Sequence, residues 1–166
     1  MKVLSGFKNF LFPGITRRFL FRLVLISALS FLLFRYVFIP IVIDGHSMEP
    51  AYSDGGINFC FGVSYLYALP KRHDVVAIRF SGNRRMLLKR VVALENEVVE
   101  FRSGTLYVDG NPVPEPYVQL PCTWDLPPKK VKPDHVYVVG DNRNVSIHRH
   151  RFGQTPISRI IGKPLW

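Results

Sequence analysis

The sequence predicts a mainly β fold: a folded-over antiparallel sheet or barrel-like domain, preceded by one N-terminal membrane helix. Three observations carry this. The 13 prolines fall mainly after residue 40, where they break helices and interior strands and favour short strands joined by turns. Short apolar runs there alternate with Gly, Asn and Asp turn residues, and no helical period of useful length appears. Ahead of them, residues 19–38 form one apolar stretch, FLFRLVLISALSFLLFRYVF.

The uncharged centre of that stretch, Leu23 to Phe34, is only 12 residues, short for a span. Arg22 and Arg35 bracket it, and arginines near helix ends can reach the headgroups, which lengthens the usable span. Phe34, Tyr36 and Phe38 suit an interfacial aromatic belt. A buried core helix would have to hide both arginines. A cleaved secretory signal would need a small-x-small site, and none follows the apolar run. Pro40 then ends the helix and hands the chain to an extended segment.

Charge gives the orientation. The net charge is +10, and residues 1–35 hold six basic side chains (Lys2, Lys8, Arg17, Arg18, Arg22, Arg35) and no acid. Basic residues flank the cytoplasmic side of a span, so residues 1–18 are expected in the cytoplasm. Residues 39–166 are then expected beyond the cell's cytoplasmic membrane, with the mitochondrial inner membrane as the lesser alternative. The lipid bilayer is therefore an expected partner. Nucleic acid is not, because no zinc-ligand spacing, helix-turn-helix pattern or aromatic-basic RNA motif accompanies the charge. Cys60 and Cys122 lie far apart with no C-x-x-C spacing, so neither a metal nor another cofactor is implied, and whether they pair is left open.

Within residues 39–166 the strands expected in order are Ile41-Val42-Ile43, residues 75–80, residues 86–94, Val98 to Arg102, Thr105 to Val108, and His135 to Val139. Ser81-Gly82-Asn83, Ser103-Gly104 and Asp109-Gly110 read as turns, the last two closing hairpins. Residues 112–132 are proline-rich and read as an extended loop.

Two motifs carry candidate chemistry. Gly45-His46-Ser47-Met48-Glu49-Pro50 follows the first strand, and Gly45 lets the backbone bend closely so that the Ser47 hydroxyl is exposed. Alone, the motif suits equally a serine that merely caps a turn. In the run over residues 86–94, alternation places Lys89 in a row with Leu87, Val91 and Ala93. The opposite row, Met86, Leu88, Val92 and Leu94, is also apolar and is interrupted by Arg90. Burial lowers a lysine pKa from its ordinary ~10.4 toward ambient pH, where a general base is useful, at about 1.4 kcal/mol per unit. The plainer reading is a lysine at a strand edge, reaching water or an acid. Taken together, a serine and a desolvated lysine suggest a nucleophile activated by a neutral amine. A third motif, Gly140-Asp141-Asn142-Arg143-Asn144-Val145-Ser146, follows the last strand.

These motifs resemble those of the type I signal peptidases of the bacterial and mitochondrial inner-membrane kind. GHSMEP resembles their nucleophile box, LLKRVVAL their lysine box, ENEVVEFRSGTLYVDGNPVPEPY the hairpin stretch that follows, and VVGDNRNVS their C-terminal box. The resemblance runs over residues 20–166. It implies a membrane-bound serine endopeptidase that removes signal peptides from exported preproteins through an acyl-enzyme. Ser47 would attack the scissile carbonyl. Lys89, neutral, would take its proton and return it to the leaving amine. The Ser47 backbone N–H would serve the oxyanion hole, and Gly45 places the chain with members lacking a hydroxyl donor at that position. Ser146 would bond to Lys89 and orient it, and Asp141 and Asn142 would shape the loop behind the pair. Substrate would add as an extended strand beside Ile43 and residues 86–88 (Met86, Leu87, Leu88), over Gly45 and Met48, with shallow apolar pockets for small side chains.

One stretch departs from the family pattern. After Ser146, the family's aspartate and arginine positions hold His148 and His150. Two histidines cannot copy an acid–base ion pair. The competing readings are thus an active peptidase with a rearranged support, and a weakened relative that binds exported segments without cutting. A self-cleaving repressor-type Ser-Lys protease shares the core, but the membrane segment argues against it. A Ser-His-Asp hydrolase is disfavoured because Glu49 occupies the second glycine position of its nucleophile elbow.

Overall fold

A computed structural model of the chain describes residues 16–79, 86–120, 122–144, 146–147 and 153–166. The Ser81-Gly82-Asn83 turn, the basic residues before position 16, and His148 and His150 fall outside the described residues. The chain divides into two units, residues 1–37 and 38–166.

In the first unit a helix (α1, Arg17–Leu32) is followed by a wider π-helical turn at Leu33–Val37. Thr16 caps it: its side-chain oxygen accepts a hydrogen bond from the Phe19 N–H at 3.2 Å, supplying one of the partners that a helix start lacks. The continuous helical segment, Arg17–Val37, is 21 residues, long and apolar enough to cross a membrane. Its large side chains, from Leu20 to Phe34, are exposed all round, the pattern of a helix that has no protein core to face. The start lies two residues before that expected from hydropathy.

The second unit is built of antiparallel strands: β1 (Phe38–Val42), β2 (Ile57–Phe61), β3 (Val75–Arg79), β4 (Met86–Ala93), β5 (Val98–Arg102), β6 (Thr105–Val108), β7 (Asn111–Pro112), β8 (Leu126–Lys130), β9 (His135–Val139), β10 (Gln154–Pro156) and β11 (Ile160–Pro164). One sheet runs β1-β2-β11-β3-β4-β9-β10, and the other β7-β6-β5-β8. Pro40 is tolerated because β1 is an edge strand. Ser103 and Gly104, at φ 46° and 82°, and Asp109 and Gly110, at 51° and 77°, have the two left-handed residues of a type I′ hairpin turn.

The proline-rich stretch needs correction. Leu126–Lys130 is not loop but a strand on β5, and Pro127 and Pro128 fit there because β8 closes the sheet edge. In β4 the pairing with β9 shifts between Val91 and Ala93. This breaks the simple alternation: Val91 packs with Val76 and Val138, whereas Ala93 joins Val99, Phe101 and Trp124. A third cluster, Ile41, Ile43, Met48, Cys60, Ala77 and Leu88, lies beneath the Ser47 turn. Cys60 and Cys122 are not paired; Cys60 is fully buried in that third cluster, where burial pushes its thiol up to about 12.

Candidate active site

Ser47 sits in a short 3₁₀ turn, His46–Met48, entered through Gly45 at φ 96°, a backbone setting that favours glycine. The turn is pinned on three sides. Met48 is buried in the cluster beneath, its carbonyl accepts from Tyr52 N–H at 3.0 Å, and Gly45 N–H donates to Asp54 Oδ1 at 2.7 Å. His46 lies exposed with Nδ1 2.7 Å from Glu49 Oε1, and that hydrogen bond raises its pKa.

Lys89 comes from β4, an interior strand flanked by β3 and β9, not from an edge. It is 3% exposed. Its Nζ donates a hydrogen bond to Ser47 Oγ. Burial lowers the lysine pKa to about 8, with the negative charge of Asp141 working the other way. The pair meets because of how β4 is edged. β3 occupies one edge along the whole of Met86–Arg90. On the other edge the β9 ladder begins only at Arg90, and Ile43 bridges to Met86. Residues 87–89 between those points face the turn that carries Ser47.

The loop after β9 closes the site from behind. A Cβ on Gly140 would lie 2.2 Å from the Ser47 carbonyl oxygen, so only glycine permits this approach. Asn142 clamps two successive carbonyls: its backbone N–H donates to Ser47 O and its Nδ2 to His46 O, each at 3.0 Å. Asp141, with its carboxylate fully buried, takes two hydrogen bonds from Arg90, Nε at 2.8 Å and Nη2 at 2.6 Å. The Arg90 guanidinium also stacks 4.0 Å over the Tyr117 ring. Arg143 turns inward, bonding Gly140 O at 2.8 Å and both Glu115 carboxylate oxygens at 2.8 and 2.5 Å.

The structure thus brings Ser47, Lys89, Asp141 and Asn142 together. Of the residues expected to meet substrate, Ile43, Met48 and Leu88 are buried in one apolar cluster, Met86 packs against it partly exposed, and Leu87 is partly exposed. Ser146 is exposed and lines a cleft of about 540 Å³ with Thr123, Trp124, Asp125, Arg143, Asn144 and Ile147. The loop's tethers are Asp141, Asn142 and Arg143, and beyond them the chain emerges at exposed Asn144. Gly140, Arg90, Arg143 and Glu115 were not foreseen as site residues. Arg90 had left a signal, a charge interrupting an apolar row, but its partner lies 51 positions away.

A family model described as "Signal peptidase, peptidase S26" matches residues 16–166. The chain is 33% identical over 152 residues to a probable signal peptidase I-1 of Synechocystis sp., spanning 87% of this chain and 78% of that one. It is 32% identical over 152 residues to signal peptidase I T of Bacillus subtilis, spanning 84% and 78%. Among solved structures, a signal peptidase I from Enterococcus faecalis is 27% identical with a TM-score of 0.48, covering 57% of this chain and 95% of that one. With a family match running from before α1 to the last residue, and relatives aligned over most of their own length, this chain belongs to the signal peptidase family, peptidase S26, and is a serine peptidase.

Proposed function

We propose that the protein is a membrane-anchored endopeptidase that removes signal peptides from exported preproteins with Ser47 and Lys89 as its dyad. The observation that carries this is the hydrogen bond from Lys89 Nζ to Ser47 Oγ, made by a lysine whose burial lowers its pKa to about 8. An amine titrating near ambient pH is neutral in a useful fraction of molecules, and a neutral amine can take the hydroxyl proton. Ser47 Oγ then attacks the scissile carbonyl, and the bond to the leaving amine breaks as Lys89 returns the proton to it. Lys89 next takes a proton from the water that attacks the acyl-serine, and the returned proton frees Ser47. The Ser47 backbone N–H faces the developing oxyanion.

The substrate segment lies extended along Ile43 and residues 86–88, where the β4 edge has no β9 partner. Asp141 and Asn142 hold the loop that fixes the nucleophile turn, and Ser146 belongs to the wall on the Trp124 side of that loop. The helix Arg17–Val37 is the anchor, with the basic N-terminus in the cytoplasm and residues 39–166 outside.

The test is cleavage of a preprotein bearing an Ala-x-Ala site by detergent-purified protein, from about pH 6 to about pH 10, a window that brackets the lysine's titration. Cleavage at that site by the wild type, lost in Ser47→Ala and in Lys89→Ala, is the expected result. Equal inertness of wild type and variants, with preprotein still bound, selects instead the relative that binds without cutting.

A further inference from the structure

The segment that leaves β7 carries two side chains that the steps above do not use. Val113 N–H bonds Leu106 O on β6 at 2.9 Å, so the segment starts from the second sheet. Two residues on, the chain closes a β-turn, Glu115-Pro116-Tyr117-Val118, with Val118 N–H on Glu115 O at 3.0 Å. Proline in the second place presets the backbone angle that such a turn needs. The first and third side chains of the turn therefore leave a rigid base.

Both reach the loop that carries Asp141 and Asn142. Glu115 takes Arg143, whose Nε holds Gly140 O at 2.8 Å. Tyr117 takes the other arginine, since the Arg90 guanidinium lies 4.0 Å over its ring. Glu115 Oε1 then joins the two, accepting from Arg143 Nη2 at 2.5 Å and from the Tyr117 hydroxyl at 2.7 Å. Burial, with Glu115 beside it, pushes the Tyr117 hydroxyl up, so it stays a neutral donor. One turn of the second sheet thus braces both arginines that hold residues 140–143.

The bonds of Arg90 show what the ring adds. Its Nε and Nη2 donate to the Asp141 carboxylate, and its Nη1 donates to His73 O at 2.8 Å. These bonds lie in the plane of the guanidinium and resist sliding. The Tyr117 ring meets the guanidinium on its face and resists tilting. His73 packs edge-on against that ring, centroids 5.7 Å apart, with Nδ1 3.4 Å from the tyrosine oxygen. Arg90, Asp141, Glu115, Arg143, His73 and Tyr52 are the charged and titratable groups that surround this contact.

We propose that Tyr117 is a positioning residue for the dyad: its ring holds the Arg90 guanidinium square on Asp141, so that the Asp141 charge is directed to Arg90 rather than to Lys89. The proposal rests on the Ser47–Lys89 reading above. With the ring gone, the ion pair loosens and water enters, and both changes favour the protonated lysine.

Titration of Lys89 in the full chain in detergent tests this without relying on turnover. Lysines labelled at Cε with carbon-13 give resonances that follow protonation, and the Lys89 signal is the one missing from Lys89→Met. In the wild type its midpoint is expected at about 8. Tyr117→Leu should move the midpoint up by about half a unit, roughly threefold in the protonation equilibrium. Tyr117→Phe keeps the ring and should hold the midpoint within about 0.2 unit of wild type. Tyr107→Leu removes a matched stack within the second sheet, Arg102 at 4.5 Å, and should leave the midpoint where it is. If Tyr117→Leu does not fold, Tyr117→Met carries the same outcomes. An unmoved midpoint in Tyr117→Leu overturns the proposal, as does an equal shift in Tyr117→Phe. An equal shift in Tyr107→Leu also overturns it, by showing a general loosening of the fold. Cleavage of the Ala-x-Ala preprotein is followed beside the titration. A midpoint that moves as expected in protein that never cleaves supports the positioning of Lys89 and refutes the peptidase reading alone.

Discussion

Replacing Lys89 by methionine should stabilise the protein near neutral pH, and the advantage should fade as pH rises. Burial lowers the lysine pKa from 10.5 to about 8. At about 1.4 kcal/mol per unit, the fold carries a penalty on the order of 3 kcal/mol for this side chain. The sign follows from where each state holds its proton. Below about pH 8 both states are protonated, and the folded state bears a buried charge, so the whole penalty is present. Between about 8 and 10.5 the folded lysine is already neutral while the unfolded one still binds a proton, and the penalty shrinks to nothing at the upper end. Methionine has similar length and no charge at any pH. It forfeits the bond to Ser47 Oγ, about 1 kcal/mol, which leaves a net gain of about 2 kcal/mol below pH 8. Equilibrium urea unfolding in detergent, followed through buried Trp124, reads the difference between the two proteins across this range. Every other ionisable group is common to the two proteins, so the difference isolates Lys89. A gap that does not change with pH, or a variant less stable throughout, refutes the depressed pKa; loss of activity alone does not discriminate.

Arg90→Gln leaves the fully buried Asp141 carboxylate without its guanidinium, and its charge then favours the protonated lysine. The rising limb of kcat/KM against pH should move up by about one unit or more, and an unmoved limb refutes the coupling. Gly140→Ala puts a Cβ 2.2 Å from Ser47 O, and the shift of about 1 Å needed to relieve it should lower kcat roughly 10²-fold in single-turnover assays with the fold intact by circular dichroism; an undiminished kcat refutes the tight approach. Glu115→Gln leaves Arg143, whose side chain is fully buried, without its carboxylate, and should cost about 3 kcal/mol in urea unfolding; a loss under about 1 kcal/mol refutes the role of this pair.

How much of this was legible in sequence depended on how local each cause is. The hairpins at Ser103-Gly104 and Asp109-Gly110 were readable because turn chemistry and alternation act within a few residues. Strand β11 was not, since it wedges between β2 and β3, whose paired residues lie 82 to 104 positions earlier, and only its partners make it a strand. β8 was hidden by two prolines that an edge can accept. In the site, Ser47 and Lys89 stood out only as a pair with family-like surroundings. What holds them, Asn142 on two carbonyls, Arg90 on Asp141, and Arg143 on Glu115, spans 96, 51 and 28 positions, and each partner is an ordinary polar residue until the fold sets it opposite the other.

Lys89 and Arg90 are neighbours on one strand with opposite fates, and exchanging their chemistry tests why. Arg90 is bound through two nitrogens to Asp141 and stacked on Tyr117, so it keeps its charge. Lys89 is set against a hydroxyl in a buried position that lowers its pKa. Lys89→Arg preserves charge and approximate length but not the ability to lose a proton, since a guanidinium stays protonated in proteins. Asp141 cannot compensate, because Arg90 already engages both of its oxygens. The variant should therefore lose cleavage at every pH up to about 10, although lysine to arginine is often a mild change. It should also be less stable than Lys89→Met at neutral pH, because it buries a charge that methionine lacks. Cleavage by the arginine variant that rises with pH as the wild type's does would mean the proton leaves Ser47 by another route, and Lys89 would then be a positioning residue for the nucleophile turn.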